Sequence, residues 1–168
     1  MFFKELLGPK WKSRKTEVRT AAVASLDAHQ DREALRTLAC SDPEATVRLA
    51  ALRRLHDIAL FRERLTQESD AGIQAFLAEH CARALCGQEA SALSLAERLA
   101  WLAESDATLN ERVAREGREL ELRQAALGRV TRESLCAELA VHDPHIDLRL
   151  AALARVQKKT ALERQRAT

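Results

Sequence analysis

Leu122-Arg123-Gln124-Ala125-Ala126-Leu127-Gly128-Arg129-Val130 returns 26 residues later as Leu148-Arg149-Leu150-Ala151-Ala152-Leu153-Ala154-Arg155-Val156. Ahead of each stretch stands a second match, Leu109, Val113 and Ala114 against Leu135, Leu139 and Ala140. Ten matched positions at one offset define an internal repeat, and a repeat of this period is the mark of a stacked architecture. Working outward, Val47-Arg48-Leu49-Ala50-Ala51-Leu52 is a third copy, and Val18-Arg19 leading to Ala21-Ala22-Val23 is a fourth. A degraded fifth copy is Ile73-Gln74-Ala75-Phe76-Leu77-Ala78. From Val18 the intervals run 29, 26, 49 and 26 residues, so the long one holds two copies, the hidden one around Leu93–Trp101–Leu102.

Each copy reads as two short helices. Over 133–141, Leu135, Leu139 and Ala140 share one helical face. His142-Asp143-Pro144 then breaks the chain, with Asp as cap and Pro opening a second helix that runs to about Lys158. Ser41-Asp42-Pro43 is the same punctuation 101 residues earlier. No Val/Ile/Thr-rich run alternates with period two, so strands are not expected. Helices this short are marginal alone, and neighbouring copies must close the core. The expected fold is all-α, a right-handed α-solenoid of about five to six short antiparallel helix pairs. It forms one domain over 1–158, with 1–15 as an N-terminal cap and 159–168 as a basic tail, helical or disordered. The paired alanines set the spacing of adjacent second helices, so Ala151→Leu is expected to overpack that contact by about 1–3 kcal/mol.

Asp42 precedes Arg48 by six residues, and Asp143 precedes Arg149 by six. With D-P-x-x-x-V/L-R-x-x-A at both places, the chain resembles HEAT-type repeats in a short form. That resemblance implies a ladder of Asp–Arg pairs between neighbouring copies, with Asp42, Arg48, Arg123, Asp143 and Arg149 as its members. Arg19 and Arg123 lack the preceding Asp, and Gln74 replaces the Arg. Phe2-Phe3-Lys4 and Pro9-Lys10-Trp11, running into Val18-Arg19, also look like the N-terminal region of the bacterial "domain of unknown function 349" family. Similarity to that family implies a setting, HEAT-like repeats ahead of longer helices, and no reaction.

Composition agrees with helix. The 168 residues are 46% hydrophobic and 31% charged but only 4% aromatic, so the apolar content is chiefly Ala and Leu. The net charge of +2 is small for a dedicated nucleic-acid binder. It is unevenly placed: residues 1–20 carry six cations against two carboxylates, residues 155–168 five against one, and the middle is acidic. Cys40, Cys81, Cys86 and Cys136 are scattered, without the density of a disulfide framework. No signal-like or membrane-length apolar run occurs. The expectation is a cytoplasmic chain with no membrane partner.

Three further features invite a functional reading. Arg54, Arg129 and Arg155 each follow a ladder arginine by six residues and form a second basic column without an evident structural duty. This column suits an acidic protein partner or a phosphate backbone. Trp11, between Lys10 and Lys12, caps the first copy or anchors a partner. His142 and His145, and the His80-Cys81/Cys86 group, match no common zinc spacing and are not assigned to a metal. No nucleophile–base set, phosphate loop or paired carboxylates stand out. The sequence therefore points to a non-catalytic protein–protein scaffold using the concave face of the solenoid. A nucleic-acid-associated module on the basic column and tail is the alternative. No cofactor and no small-molecule substrate are expected.

Overall fold

A computed structural model describes residues 8–89 and 93–166, with side chains as far as residue 158. Phe2-Phe3-Lys4, the side chains of the basic tail from Lys159 and the last two residues lie outside the described residues. The described chain is all-helical. After a 3₁₀ turn at Lys10–Lys12 come α1 (Thr16–Ser25), α2 (Arg32–Ser41), α3 (Ala45–Leu55), α4 (Ile58–Leu65) and α5 (Ala71–Leu85). Then follow α6 (Leu95–Ala103), α7 (Ala107–Glu116), α8 (Leu120–Leu127), α9 (Glu133–His142) and α10 (Ile146–Arg166). Contacts divide the chain into two compact units, 1–79 and 80–168, with the boundary falling inside α5. No described helix is long and apolar enough to cross a membrane.

The repeat maps onto the second helix of each copy: α1, α3, α5, α6, α8 and α10. Only α3, α5, α8 and α10 are preceded by a first helix, namely α2, α4, α7 and α9. A 3₁₀ turn stands before α1, and the described residues between α5 and α6 are non-helical. Six second helices with four first helices replace the expected five to six pairs. The hidden copy is α6, where Arg98-Leu99-Ala100-Trp101-Leu102 repeats the pattern of Arg48 to Leu52.

In the N-terminal unit α2 packs on α3 and α3 on α1; in the C-terminal unit α7 packs on α8, α9 on α10, and α8 contacts both α6 and α10. Leucines at the repeat positions fill the interior: Leu52, Leu122 and Leu148 are fully buried, as are Leu35 and Leu135 from first helices. Of each alanine pair the second is the buried one (Ala22, Ala51, Ala126 and Ala152), while Ala21 and Ala125 are exposed. The tight contact therefore falls one residue later than the sequence reading placed it, and Ala151 is half-buried. Asp42 and Asp143 also differ from expectation. Each follows the first helix as its C-cap, and a carboxylate oxygen accepts the backbone N–H two residues on, Glu44 at 3.0 Å and His145 at 2.9 Å. Pro43 and Pro144 stand within these turns rather than inside the following helix.

Candidate functional site

The ladder is present as geometry, with a register that the sequence alone concealed. Each arginine reaches forward to the acid of the following copy, not back to the Asp six residues before it. Arg19 of α1 holds Asp42 through Nε at 2.6 Å and Nη2 at 2.9 Å. Arg48 of α3 holds Glu68 at 3.1 and 2.7 Å. In the C-terminal unit Arg98 of α6 holds Glu119 with both contacts at 2.6 Å, and Arg123 of α8 grips Asp143 with two nitrogens. All four are bidentate, the arrangement a planar guanidinium favours. Arg19 and Arg123, which lack a preceding Asp, thus have full partners. Glu68, Arg98 and Glu119 are ladder members that sequence reading missed.

The acid six residues before the arginine does a different job through its backbone. Arg48 donates to the carbonyl of Asp42 at 3.0 Å, and Arg149 to that of Asp143 at 2.9 Å. Arg19 does the same to Ser13 at 2.9 Å, and even the degraded copy keeps the bond, from Gln74 to Glu68 at 2.6 Å. Arg123 is the variant. Its Nε donates to the Ala114 carbonyl at 2.9 Å, and its stem lies over Gly117, where an added Cβ would stand 2.9 Å from Arg123 Cγ and 2.7 Å from the Val113 carbonyl oxygen.

The electrostatics follow the pairing. The charged hydrogen bonds from Arg48 hold the Glu68 carboxyl down at about 2 against burial. Arg98 likewise lowers Glu119. At Asp42, burial pushes the carboxyl up and the Arg19 hydrogen bond more than offsets it, so the net shift is downward. Less buried pairs tie first helices together, Arg36 to Glu63 at 3.1 Å and Arg115 to Glu138 at 3.0 Å.

The second basic column acquires a structural duty. Arg54 donates to the Leu26 carbonyl just past α1 at 3.0 Å, and Arg129 to the Ala103 carbonyl ending α6 at 3.2 Å. Arg155 spans the Gly128 and Val130 carbonyls just past α8 at 2.9 and 2.6 Å. Each therefore caps the C-terminal end of the preceding second helix, where carbonyls lack partners and a cation is favoured. Arg54 and Arg129 are exposed, and Arg155 is half-buried. Between α1 and α3 runs a groove lined by Thr20, Val23, Ala24, Ala50, Arg53 and Arg54.

Trp11 lies half-buried in the 3₁₀ turn that packs on α1, with Lys12 Nζ 4.8 Å from its ring centre. His142 and His145 are exposed at the two sides of the α9–α10 turn. Cys81, Cys86 and Cys136 are buried thiols, Cys40 is half-buried, and all four are free. Comparison of the chain with protein-family models, with curated proteins and with solved structures finds no match. What the geometry defines is an all-α protein whose successive second helices are tied by arginine–carboxylate rungs.

Proposed function

We propose that this chain is a non-catalytic protein–protein interaction scaffold of the HEAT-like kind, in which the second helices carry the binding surface. One observation carries the reading: every rung locks a second helix to the turn of the next copy, and the outward side of those helices is left to small residues and the exposed Arg54 and Arg129. Ala21 and Ala24 on α1, and Ala125 and Gly128 on α8, give a surface close to the backbone. Such a surface suits shape-matched docking by a partner, held rigid by buried bidentate pairs that cost little further ordering on binding.

The nucleic-acid reading is the weaker of the two. The column it needs is already engaged with helix-end carbonyls, and the body between the basic ends is acidic. The test uses the tagged full chain beside Ala24→Glu with Ala125→Glu, exposed positions whose change should leave melting unaltered. A protein that co-purifies with the parent and is lost from the double variant supports the scaffold. Equal recovery from both refutes the second-helix surface. Binding to mixed-sequence DNA with a steep salt dependence, lost in Arg54→Glu with Arg129→Glu, would transfer the function to the alternative.

A further inference from the structure

Every copy in the C-terminal unit makes two demands on whatever follows it, and the last copy has neither met. Leu102 of α6 and Leu127 of α8 hold equivalent places, each 1% exposed, with α8 packed on α6 and α10 packed on α8. Leu153 holds the same place on α10 and is 44% exposed. Ile146 and Leu150 lie on the same stripe of α10 at 60% and 58%, and Val141 at the end of α9 is 69% exposed. Leu95 and Leu120, the counterparts of Ile146, are half-buried. The second demand is electrostatic. Arg98 and Arg123 each hold a carboxylate from the following turn, whereas Arg149 meets no carboxylate among the described residues and donates only to the Asp143 carbonyl. Beyond Leu153 the backbone of α10 continues as helix to Arg166, so the described chain does not fold back across the stripe.

Terminal copies of stacked repeats ordinarily turn a polar face outward, and a contiguous apolar stripe beside an unsatisfied cation marks an interaction surface. We infer that the face formed by Val141, Ile146, Arg149, Leu150 and Leu153 docks a helical segment of another protein, one that brings an apolar stripe and a carboxylate for Arg149. The model for this occupant is the chain itself: α9 and α10 cover α8 in this way, with Asp143 on Arg123. Charge disfavours a second copy of this chain. The turn before α1, where a preceding arginine would seek its acid, reads Ser13-Arg14-Lys15, and both ends of the chain are basic. A lipid surface is disfavoured because exposed Asp147 adjoins the stripe. This face lies apart from the α1–α3 groove, and the inference stands whether or not the second-helix surface binds.

The probe is a labelled peptide spanning 131–157, hydrocarbon-stapled between positions 137 and 141, titrated with the full chain and followed by fluorescence anisotropy. Saturable binding is expected, weakened about tenfold or more by Arg149→Asp and restored when the peptide carries Asp143→Arg. Leu150→Glu should abolish it, and both chain variants should melt like the parent because these side chains are exposed. Absence of saturable binding, or binding indifferent to both variants, overturns the inference. Two other results also overturn it. Self-association in sedimentation that Leu150→Glu removes, without peptide binding, gives the face to a second copy. Recruitment to phosphatidylcholine–phosphatidylserine vesicles that the same variant removes, again without peptide binding, gives it to a membrane.

Discussion

Glu68→Gln isolates one rung and makes its contribution readable from pH. Glu68 is 5% exposed and accepts both contacts from Arg48, together with the backbone N–H groups of Ser69 and Asp70 at 3.0 Å each. Its carboxyl is lowered from 4.5 to about 2. A depressed carboxyl stabilises the fold where the unfolded chain would bind the proton more readily, so the contribution is complete above the unfolded value and is lost as pH falls toward the folded one. The shift corresponds to about 3 kcal/mol at pH 7, falling to about 1 kcal/mol at pH 3. Breaking a buried pair by removing one partner costs about 3–5 kcal/mol, which agrees in size. Glutamine keeps the shape and can still accept hydrogen bonds but cannot carry the charge. At pH 7 the variant should melt about 10 °C below the parent, from about 2–4 °C per kcal/mol for a chain of this length. Paired thermal melts at pH 7, 5, 4 and 3 would read the gap, which should hold to pH 5 and lose more than half its size by pH 3. A gap that stays constant from pH 7 to pH 3 would refute the argument, because the variant would then be acting through packing and not through the ion pair.

Asp143→Ala removes the carboxylate from a buried rung and the acceptor of the His145 N–H together, so it should destabilise by about 3–5 kcal/mol, measured by urea denaturation. Arg149→Ala, the arginine with no carboxylate among the described residues, should cost no more than about 1 kcal/mol in the same assay. Gly117→Ala should lower stability by about 1–3 kcal/mol, since its Cβ meets the Val113 carbonyl, which belongs to a helix backbone and cannot move aside. Ala152→Leu should overpack by a similar amount, about 1–3 kcal/mol, and by more than Ala151→Leu, because Ala152 is buried while Ala151 is partly open. Arg129→Ala should cost about 0.5–1 kcal/mol, seen as faster hydrogen exchange in the last turn of α6 whose carbonyl it caps.

How much of this could be read from the chain follows from how far apart the interacting residues lie. Helices and their faces are set by neighbours three and four residues apart, so Leu135 and Leu139 announced α9 from sequence alone. The ladder is different. Its rungs join residues 23, 20, 21 and 20 positions apart, nearly one repeat period. An Asp six residues before an arginine was the visible signal, yet its contribution to that arginine is a backbone carbonyl, which any residue supplies. That is why Ser13 and Glu68 serve as well as Asp42 and Asp143. Searching instead for a carboxylate 20 to 23 residues after the arginine finds Asp42, Glu68, Glu119 and Asp143, and it exposes Arg98 as the rung of the hidden copy. The same shift of register explains the second column. Arg54, Arg129 and Arg155 lacked a duty only while each copy was read by itself, because their acceptors are 25 to 28 residues earlier, on the carbonyls that end the preceding second helix. Each copy therefore reaches forward with its first arginine and backward with its second. The last copy completes the backward reach through Arg155 and leaves the forward one open at Arg149, so the two arginines of a single repeat separate what this chain uses to hold itself together from what it offers to something else.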